Sequence, residues 1–118
     1  MGTEMENRLR QGDLYDFYGE LLNPHQRRIY EDYVLNDLSL SEIAEDVGTS
    51  RQAVHDIIRR CTQSLESYEE KLGLLKRFEM VRSRISQIRS AASSKETDSK
   101  KTVEEIARIA EQIWEDLN

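Results

Sequence analysis

The feature that most constrains this chain is a pair of helix signals separated by one glycine, near the middle of the sequence. Ser39 and Glu42 have the spacing of a capping box, in which the serine hydroxyl and the glutamate carboxylate each satisfy a backbone N–H at the start of a helix. Gly48 is suited to end that helix, because glycine adopts the left-handed conformation without steric penalty. Thr49 or Ser50 can cap the next helix. Two helices with a tight turn between them are therefore predicted.

The turn also carries the residues that a steep crossing of two helices needs. Ala44 is a small residue at the point where the helices nearly touch, four positions before Gly48. Apolar residues must face inward on both sides of the turn, and the candidates are Ile43, Val47, Val54 and Ile57. The joint occurrence of these features predicts a helix-turn-helix over Ser39–Arg60.

Helical periodicity continues on both sides of this motif. Upstream, the apolar spacing predicts one helix through Leu14, Phe17, Tyr18, Leu21 and Leu22, and Asn23-Pro24 predicts the start of a second helix that ends near Asn36-Asp37. Downstream, an apolar stripe runs from Val54 through Leu65, Tyr68 and Leu72 to Ile88, with Gly73 as the hinge. We therefore predict an all-α protein: a winged-helix-like three-helix core without a wing, followed by long C-terminal helices.

The same patterns suggest four segments. These are a helix-turn-helix domain over residues 1–72, a basic helical extension over 73–92, a polar linker over 93–101 and an amphipathic helix over 102–118. The apolar stripe of the last helix comprises Val103, Ile106, Ala107, Ala110, Ile113, Trp114 and Leu117. This helix either folds back on its own domain or docks on another subunit or partner.

In a helix-turn-helix, the N-terminal turns of the second helix enter the major groove of DNA. The predicted DNA-binding residues are the outward side chains of that helix: Ser50, Arg51, Gln52, His55, Arg59 and Arg60. Arginine pairs with guanine and glutamine with adenine, so Arg51 and Gln52 are the best candidates to read bases. His55 either assists or is an ordinary solvent-facing histidine. Asp56 would repel phosphate unless it accepts from a cytosine or pairs with Arg59 or Arg60.

The charge distribution limits how this motif could bind. The net charge of −6 argues against non-specific coating of nucleic acid. Glu42, Glu45 and Asp46 lie on the outer side of the first motif helix, which would cross the DNA backbone. Either the domain binds DNA weakly and needs a second copy or a partner, so that a homodimer is one expectation, or the motif recognises a protein or RNA.

A separate basic stretch lies between residues 73 and 95, where six Lys and Arg residues stand against one Glu. Its candidates for RNA or phosphate binding are Lys76, Arg77, Arg84 and Arg89. The alternative is an ordinary solvated helix face opposite an apolar stripe.

Other function classes find little support. The sequence has no Gly-rich phosphate loop and no metal-spaced cluster, so we expect neither an enzyme nor a cofactor or metal site. Cys61 is the single cysteine and is interpreted as a small helical residue. The sequence has neither an apolar run of membrane length nor an N-terminal signal pattern, so no membrane association and a cytoplasmic location are expected.

Three stretches carry a family resemblance: FYGELL from Phe17, LSLSEIAEDVGTSRQAV from Leu38 and SLESYEEKLGLL from Ser64. The central stretch is similar to region 4 of sigma factors. Together the three resemble the YlxM-type bacterial helix-turn-helix proteins. The resemblance implies a DNA-binding transcription regulator encoded beside the GTPase of the signal recognition particle, with a part in protein targeting through that particle. The alternative is an accessory protein that binds the particle's RNA or GTPase and does not read DNA. It carries reader positions onto Arg51, Gln52 and His55, although a tyrosine is often found where His55 stands.

Overall fold

The computed structural model describes residues 3–93 and 98–117, and within these ranges all regular structure is helical. The chain divides into two compact units, residues 1–73 and residues 74–118. The first unit contains α1 (Glu4–Tyr18), a 3-10 turn (Gly19–Leu21), α2 (Pro24–Val34), α3 (Leu40–Val47) and α4 (Arg51–Leu72); the second contains α5 (Leu74–Ala92) and α6 (Ser99–Leu117). The predicted all-α fold class is confirmed.

Side-chain caps determine where the helices of the first unit begin. Capping boxes start α1 at Thr3, α2 at Asn23 and α3 at Ser39, and the Ser50 hydroxyl accepts from the Ala53 N–H at the start of α4. The starts at Asn23 and Ser39 were predicted. The capping box of α1 was missed, although Thr3 and Glu6 have the required spacing, so α1 begins about ten residues before the predicted stripe.

The core of the first unit forms where α1, α2 and α3 pack on α4. Its members are Leu14, Tyr15, Tyr18, Leu22, Ile29, Tyr30, Ile43, Ala44, Val54, Ile58, Cys61 and Leu65. Three residues of the stripes predicted for this unit, Phe17, Leu21 and Leu72, are exposed. Tyr15 is buried instead, and its ring lies so close to Gly19 that a Cβ there would come within 2.6 Å of it. A glycine at this position therefore gives the ring its space.

The buried tyrosines are hydrogen-bonded, as buried polar groups usually are. The Tyr18 hydroxyl donates to Oε1 of Glu69 over 2.6 Å, and the Tyr30 hydroxyl lies 2.7 Å from Oγ1 of Thr62. Burial raises the pKa of Tyr30 to about 12. Burial also raises the pKa of the Cys61 thiol, which keeps it in the unreactive protonated form.

The second unit is a pair of helices, with α6 packed along α5. The guanidinium of Arg84, in the middle of α5, lies 3.6 Å from the carboxylate of Asp116, near the end of α6. Because few residues join the two helices, this contact requires α6 to run antiparallel to α5. None of the described helices is long and apolar enough to cross a membrane.

The start of α6 corrects the predicted linker of residues 93–101. α6 begins at Ser99, because the Asp98 carboxylate accepts from the Lys101 N–H over 3.2 Å and caps the helix. Residues 99–101 are therefore helical. Residues 94–97 of the predicted linker lie outside the described residues.

Candidate nucleic-acid interface

The turn between α3 and α4 has the geometry of a helix-turn-helix. Gly48 adopts φ 74°, and both its N–H and that of Thr49 donate to the carbonyl of Ala44. Ala44 is 6 % exposed, which places this small side chain in the close contact predicted for it. Ile43 and Val54 are fully buried on either side of the turn. The predicted inward positions Val47 and Ile57 are half-buried.

The predicted DNA-binding residues are exposed to solvent on the N-terminal turns of α4. Arg51 and Gln52 are exposed in the first turn, directly after the cap at Ser50. His55 and Arg59 are exposed and follow Gln52 at steps of three and four, so these three side chains share one face of the helix. Arg60 is also exposed, roughly 15 Å along the axis from the cap. All six predicted residues thus lie outside the core, on the first three turns of one helix.

One carboxylate organises the polar contacts on this face. Nε2 of Gln52 donates to Oδ1 of Asp56 over 3.2 Å, and Nδ1 of His55 lies 3.8 Å from the same oxygen. Asp56 contacts Gln52 and His55 in the structure, so the alternative in which it pairs with Arg59 or Arg60 is not the arrangement observed. Sequence spacing alone could not rank these partners, since Gln52 and Arg60 are both four residues from Asp56.

The arginines of α4 supply positive charge to this surface. Within the described part of the chain, Arg51, Arg59 and Arg60 form no ion pair. Their guanidinium groups are therefore available to an external anion. The helix dipole adds partial positive charge at the N-terminus of α4, beside Ser50.

The acidic side of α3 is partly compensated within the protein. The Glu42 carboxylate accepts from the Ser39 N–H over 3.1 Å in the capping box, and Asp46 lies 3.0 Å from a guanidinium nitrogen of Arg28. Arg28 was missed in the sequence analysis, because its pairing depends on how α2 crosses α3. Glu45 is exposed. Two of the three carboxylates on this side of α3 therefore already have partners within the protein.

A small cavity lies next to the face of α4 that carries Gln52, His55 and Arg59. It has a volume of about 280 Å³ and is lined by Gln11, Tyr33, Leu40, His55, Ile58, Arg59, Thr62 and Gln63. Gln11 and Thr62 were not candidates from sequence, because they come from different helices and share no local pattern. His55 and Arg59 therefore border both the exposed face of α4 and this cavity.

The basic candidates of the second unit differ in their surroundings. Lys76, Arg77 and Arg89 are exposed on α5. Arg84 is half-buried and forms the ion pair with Asp116. Three of the four predicted residues thus present their charge at the surface, whereas Arg84 joins the two helices. Among residues 3–93 and 98–117, no cluster of three or more His, Cys, Asp or Glu side chains is placed to hold a metal ion.

A tight turn at Gly48 beside the buried Ala44, followed by a helix whose first turns are polar and exposed, defines a helix-turn-helix protein. Comparison with known proteins identifies the group within this class. Residues 5–106 match the family UPF0122, described as "Putative helix-turn-helix protein, YlxM / p13 like". The chain belongs to this family, which confirms the resemblance noted from the sequence.

Relatives in several bacteria support the assignment. A UPF0122 protein of Thermoanaerobacter sp. (strain X514) is 46 % identical over 105 residues, covering 85 % of this chain and 90 % of the relative. A UPF0122 protein of Geobacillus kaustophilus is 49 % identical over 89 residues, covering 75 % and 81 %. A UPF0122 protein of Clostridium kluyveri is 55 % identical over 71 residues, covering 60 % and 64 %.

Proposed function

We propose that this protein is a cytoplasmic, sequence-specific DNA-binding regulator that acts by binding rather than by catalysis. The observation that carries the proposal is the exposure of Arg51 and Gln52 on the first turn of α4, directly after a buried helix-turn-helix crossing. In proteins of this class, that turn enters the major groove.

The proposed roles follow from side-chain chemistry. Arg51 donates two hydrogen bonds to a guanine, and the Gln52 amide pairs with an adenine. The hydrogen bond from Gln52 to Asp56 holds the glutamine side chain in place and leaves its carbonyl oxygen able to accept from the base. Ser50 and the N-terminus of α4 hold one phosphate. Arg59 and Arg60, further along the helix, contact phosphates at the edges of the groove.

The test is selection of a duplex from a random pool, followed by titration of variants. Arg51→Ala should weaken binding to the selected duplex by about 5- to 100-fold, since a bidentate contact to guanine contributes roughly 1 to 3 kcal/mol of discrimination. Arg108→Ala is the matched control, because Arg108 is an exposed arginine on α6, outside this unit. The proposal is wrong if the wild-type chain binds selected and random duplexes equally, or if Arg51→Ala leaves the affinity for the selected duplex unchanged.

A second candidate function is that of an accessory to the signal recognition particle that contacts its RNA or GTPase. It is favoured by the exposed cations Lys76, Arg77 and Arg89 on α5, which could pair with RNA phosphates. Titration of the particle RNA over a series of salt concentrations tests it. The affinity should fall steeply with salt, and less steeply after Arg77→Gln and Arg89→Gln. A flat response in the wild-type chain excludes phosphate contacts.

A further inference from the structure

The α5–α6 hairpin leaves much of its apolar surface in water. Within its described residues, Leu75 and Ile109 are the buried apolar side chains, whereas Val103 is 65 % exposed, Leu117 is 55 % exposed and Ile85 is 46 % exposed. Two packed helices offer too little interior to bury a full apolar complement, so units of this size often complete their core by association. The positions of the exposed residues indicate what covers them.

On α6 the exposed apolar residues form a stripe beside the face that contacts α5. The contacting face is centred on Ile109, with Ile106 and Ile113 half-buried on the same side. The stripe lies roughly 110° around the helix from that face. Its members recur at steps of four, three, four and three: Val103, Ala107, Ala110, Trp114 and Leu117. This alternation is the spacing by which helices pack in bundles and coiled coils. It differs from the predicted stripe, which lacked Ile109.

On α5 the same steps recur at Leu74, Phe78, Val81, Ile85 and Ile88. Val81 and Ile88 are half-buried, and the exposed side of this stripe includes Ile85. On both helices the exposed residues are rotated in the same sense from the contacting face. Because the helices run in opposite directions, an equal sense of rotation places both stripes on the same side of the hairpin. The result is a single apolar face that spans two helices.

Opposite charges border the two edges of this apolar face. Arg82 and Arg89 are exposed along the outer edge of the α5 stripe, seven residues apart. Glu104 and Glu111 are exposed along the outer edge of the α6 stripe, also seven residues apart. One edge is therefore basic and the other acidic, with the same repeat. Such flanking charges select partners and orientation in helical bundles.

We propose that the apolar face is covered by a second copy of this chain, giving a two-fold symmetric, four-helix bundle. With the two-fold axis parallel to the helices, α5 of each protomer lies beside α6 of its partner, and all neighbouring helices are antiparallel. Arg82 and Arg89 then face Glu104 and Glu111 of the other protomer at both edges. This charge complementarity favours a second copy over another protein. The inference does not depend on what the helix-turn-helix binds.

Sedimentation equilibrium of the full chain tests this proposal. The wild-type chain should sediment as a dimer, at twice the protomer mass of 13.8 kDa. Ala110→Glu places a charge in the middle of the apolar face and should raise the dimer dissociation constant at least about 100-fold. Ser83→Glu adds the same charge on an exposed position of α5 away from this face and should leave the constant unchanged. A monomeric wild-type chain, or a dimer insensitive to Ala110→Glu, overturns the proposal.

Exchange of the edge charges tests the orientation without relying on a core substitution. One variant carries Arg82→Glu and Arg89→Glu, and the other carries Glu104→Arg and Glu111→Arg. Each should be mainly monomeric alone, because like charges then meet at both edges. An equimolar mixture should form a heterodimer, because both edges become complementary. Two variants that stay helical by circular dichroism and fail to associate when mixed would contradict the pairing of α5 with α6.

Discussion

At the scale of single residues, Gly48 and Gly73 differ from Gly12 in the backbone conformation that they adopt, although each of the three lies in or beside a helix. Gly48 and Gly73 end α3 and α4 with positive φ values of 74° and 64°. Gly12 lies inside α1 and its φ is not positive. A Cβ at any of the three would meet nothing within 4 Å, so backbone conformation alone decides the effect of a substitution.

We predict opposite signs for alanine at these positions. Gly48→Ala and Gly73→Ala should each lower the free energy of unfolding by about 1 kcal/mol, because a side chain in the left-handed region is strained. Gly12→Ala should raise it by about 0.5 to 1 kcal/mol, because alanine favours the helix. Urea denaturation of the three variants checks this. A loss of stability at Gly12, or none at Gly48, would show that the local conformations differ from those described.

The buried tyrosine of α2 makes stability depend on alkaline pH. The pKa of Tyr30 rises from 10.0 to about 12 on folding, because burial disfavours the phenolate. Between these values the folded chain keeps a proton that the unfolded chain loses, so the free energy of unfolding falls as the pH rises through this window. The decrease should reach roughly 3 kcal/mol from this residue. Urea denaturation at a series of pH values measures it.

Tyr30→Phe isolates the contribution of this hydroxyl. At neutral pH the variant should lose about 1 kcal/mol, since one hydrogen bond with Thr62 disappears while the ring stays packed. Between pH 10 and 12 its stability should fall less than that of the wild-type chain, because the titrating group is absent. Parallel decreases in the two proteins would show that other groups cause the alkaline loss.

At the scale of helices, α3 depends strongly on its ends because it is short. It spans Leu40–Val47, and a helix of two turns has few internal hydrogen bonds relative to its unsatisfied ends. The Ser39 hydroxyl accepts from the Glu42 N–H over 3.1 Å, and the Glu42 carboxylate returns a contact to the Ser39 N–H. The first helix of the helix-turn-helix is thus stabilised at its start by one serine and one glutamate.

We therefore predict that Ser39→Ala destabilises the protein by about 1 kcal/mol, because the cap of α3 is lost. Ser41→Ala is the matched control. Ser41 is exposed inside the same helix, where alanine has the higher propensity, so its substitution should be neutral or slightly stabilising. Thermal denaturation of both variants gives the comparison. Equal effects of the two substitutions would argue against the capping box as a source of stability.

The caps also explain which parts of the fold could be predicted from the sequence. Asn23, Ser39 and Gly48 act through backbone groups within a few residues, so they are enough to place the start of α2 and both ends of α3. The end of α2 at Val34, two residues before the predicted Asn36-Asp37, has no such signal. The helix-turn-helix adds Ala44. A small residue at a fixed distance before the turn glycine predicts the close contact between the two helices, and Ala44 is buried there. Such local signals do not depend on how distant helices meet.

Features that depend on distant packing could not be predicted in this way. Tyr15 rather than Phe17 enters the core because α1 meets its neighbours at a particular rotation, which a stripe of five apolar residues leaves undetermined. Ile109 faces α5 for the same reason, although it stood outside the predicted stripe of α6. In the candidate site, the pairing of Arg28 with Asp46 depends on the crossing of α2 and α3. Sequence spacing identified which side chains are on α4 but not their partners.

At the scale of the whole molecule, the charge is divided between surfaces with different tasks. The chain has a net charge of −6, so it is repelled by nucleic acid at long range. Arg51, Arg59 and Arg60 nevertheless concentrate positive charge on the first turns of α4. The DNA binding that we propose would therefore gain little from non-specific phosphate contacts and would depend on base contacts and on the α4 helix of a second copy for affinity. DNA binding through α4 and dimerisation through the α5–α6 hairpin therefore lead to a joint prediction.

The joint prediction concerns the salt dependence of binding to a duplex with two half-sites. Two arginines per protomer, Arg59 and Arg60, are proposed to contact phosphates and release counterions, so the logarithm of the affinity should fall with the logarithm of salt concentration with a slope of roughly −2 for one protomer and −4 for two. Ala110→Glu separates the protomers and should reduce the slope to the smaller value, while a duplex with a single half-site should be bound equally by variant and wild type. A slope near zero would show that α4 does not contact phosphates. An equal slope in variant and wild type would instead show that the two reader helices do not engage DNA together through the α5–α6 dimer.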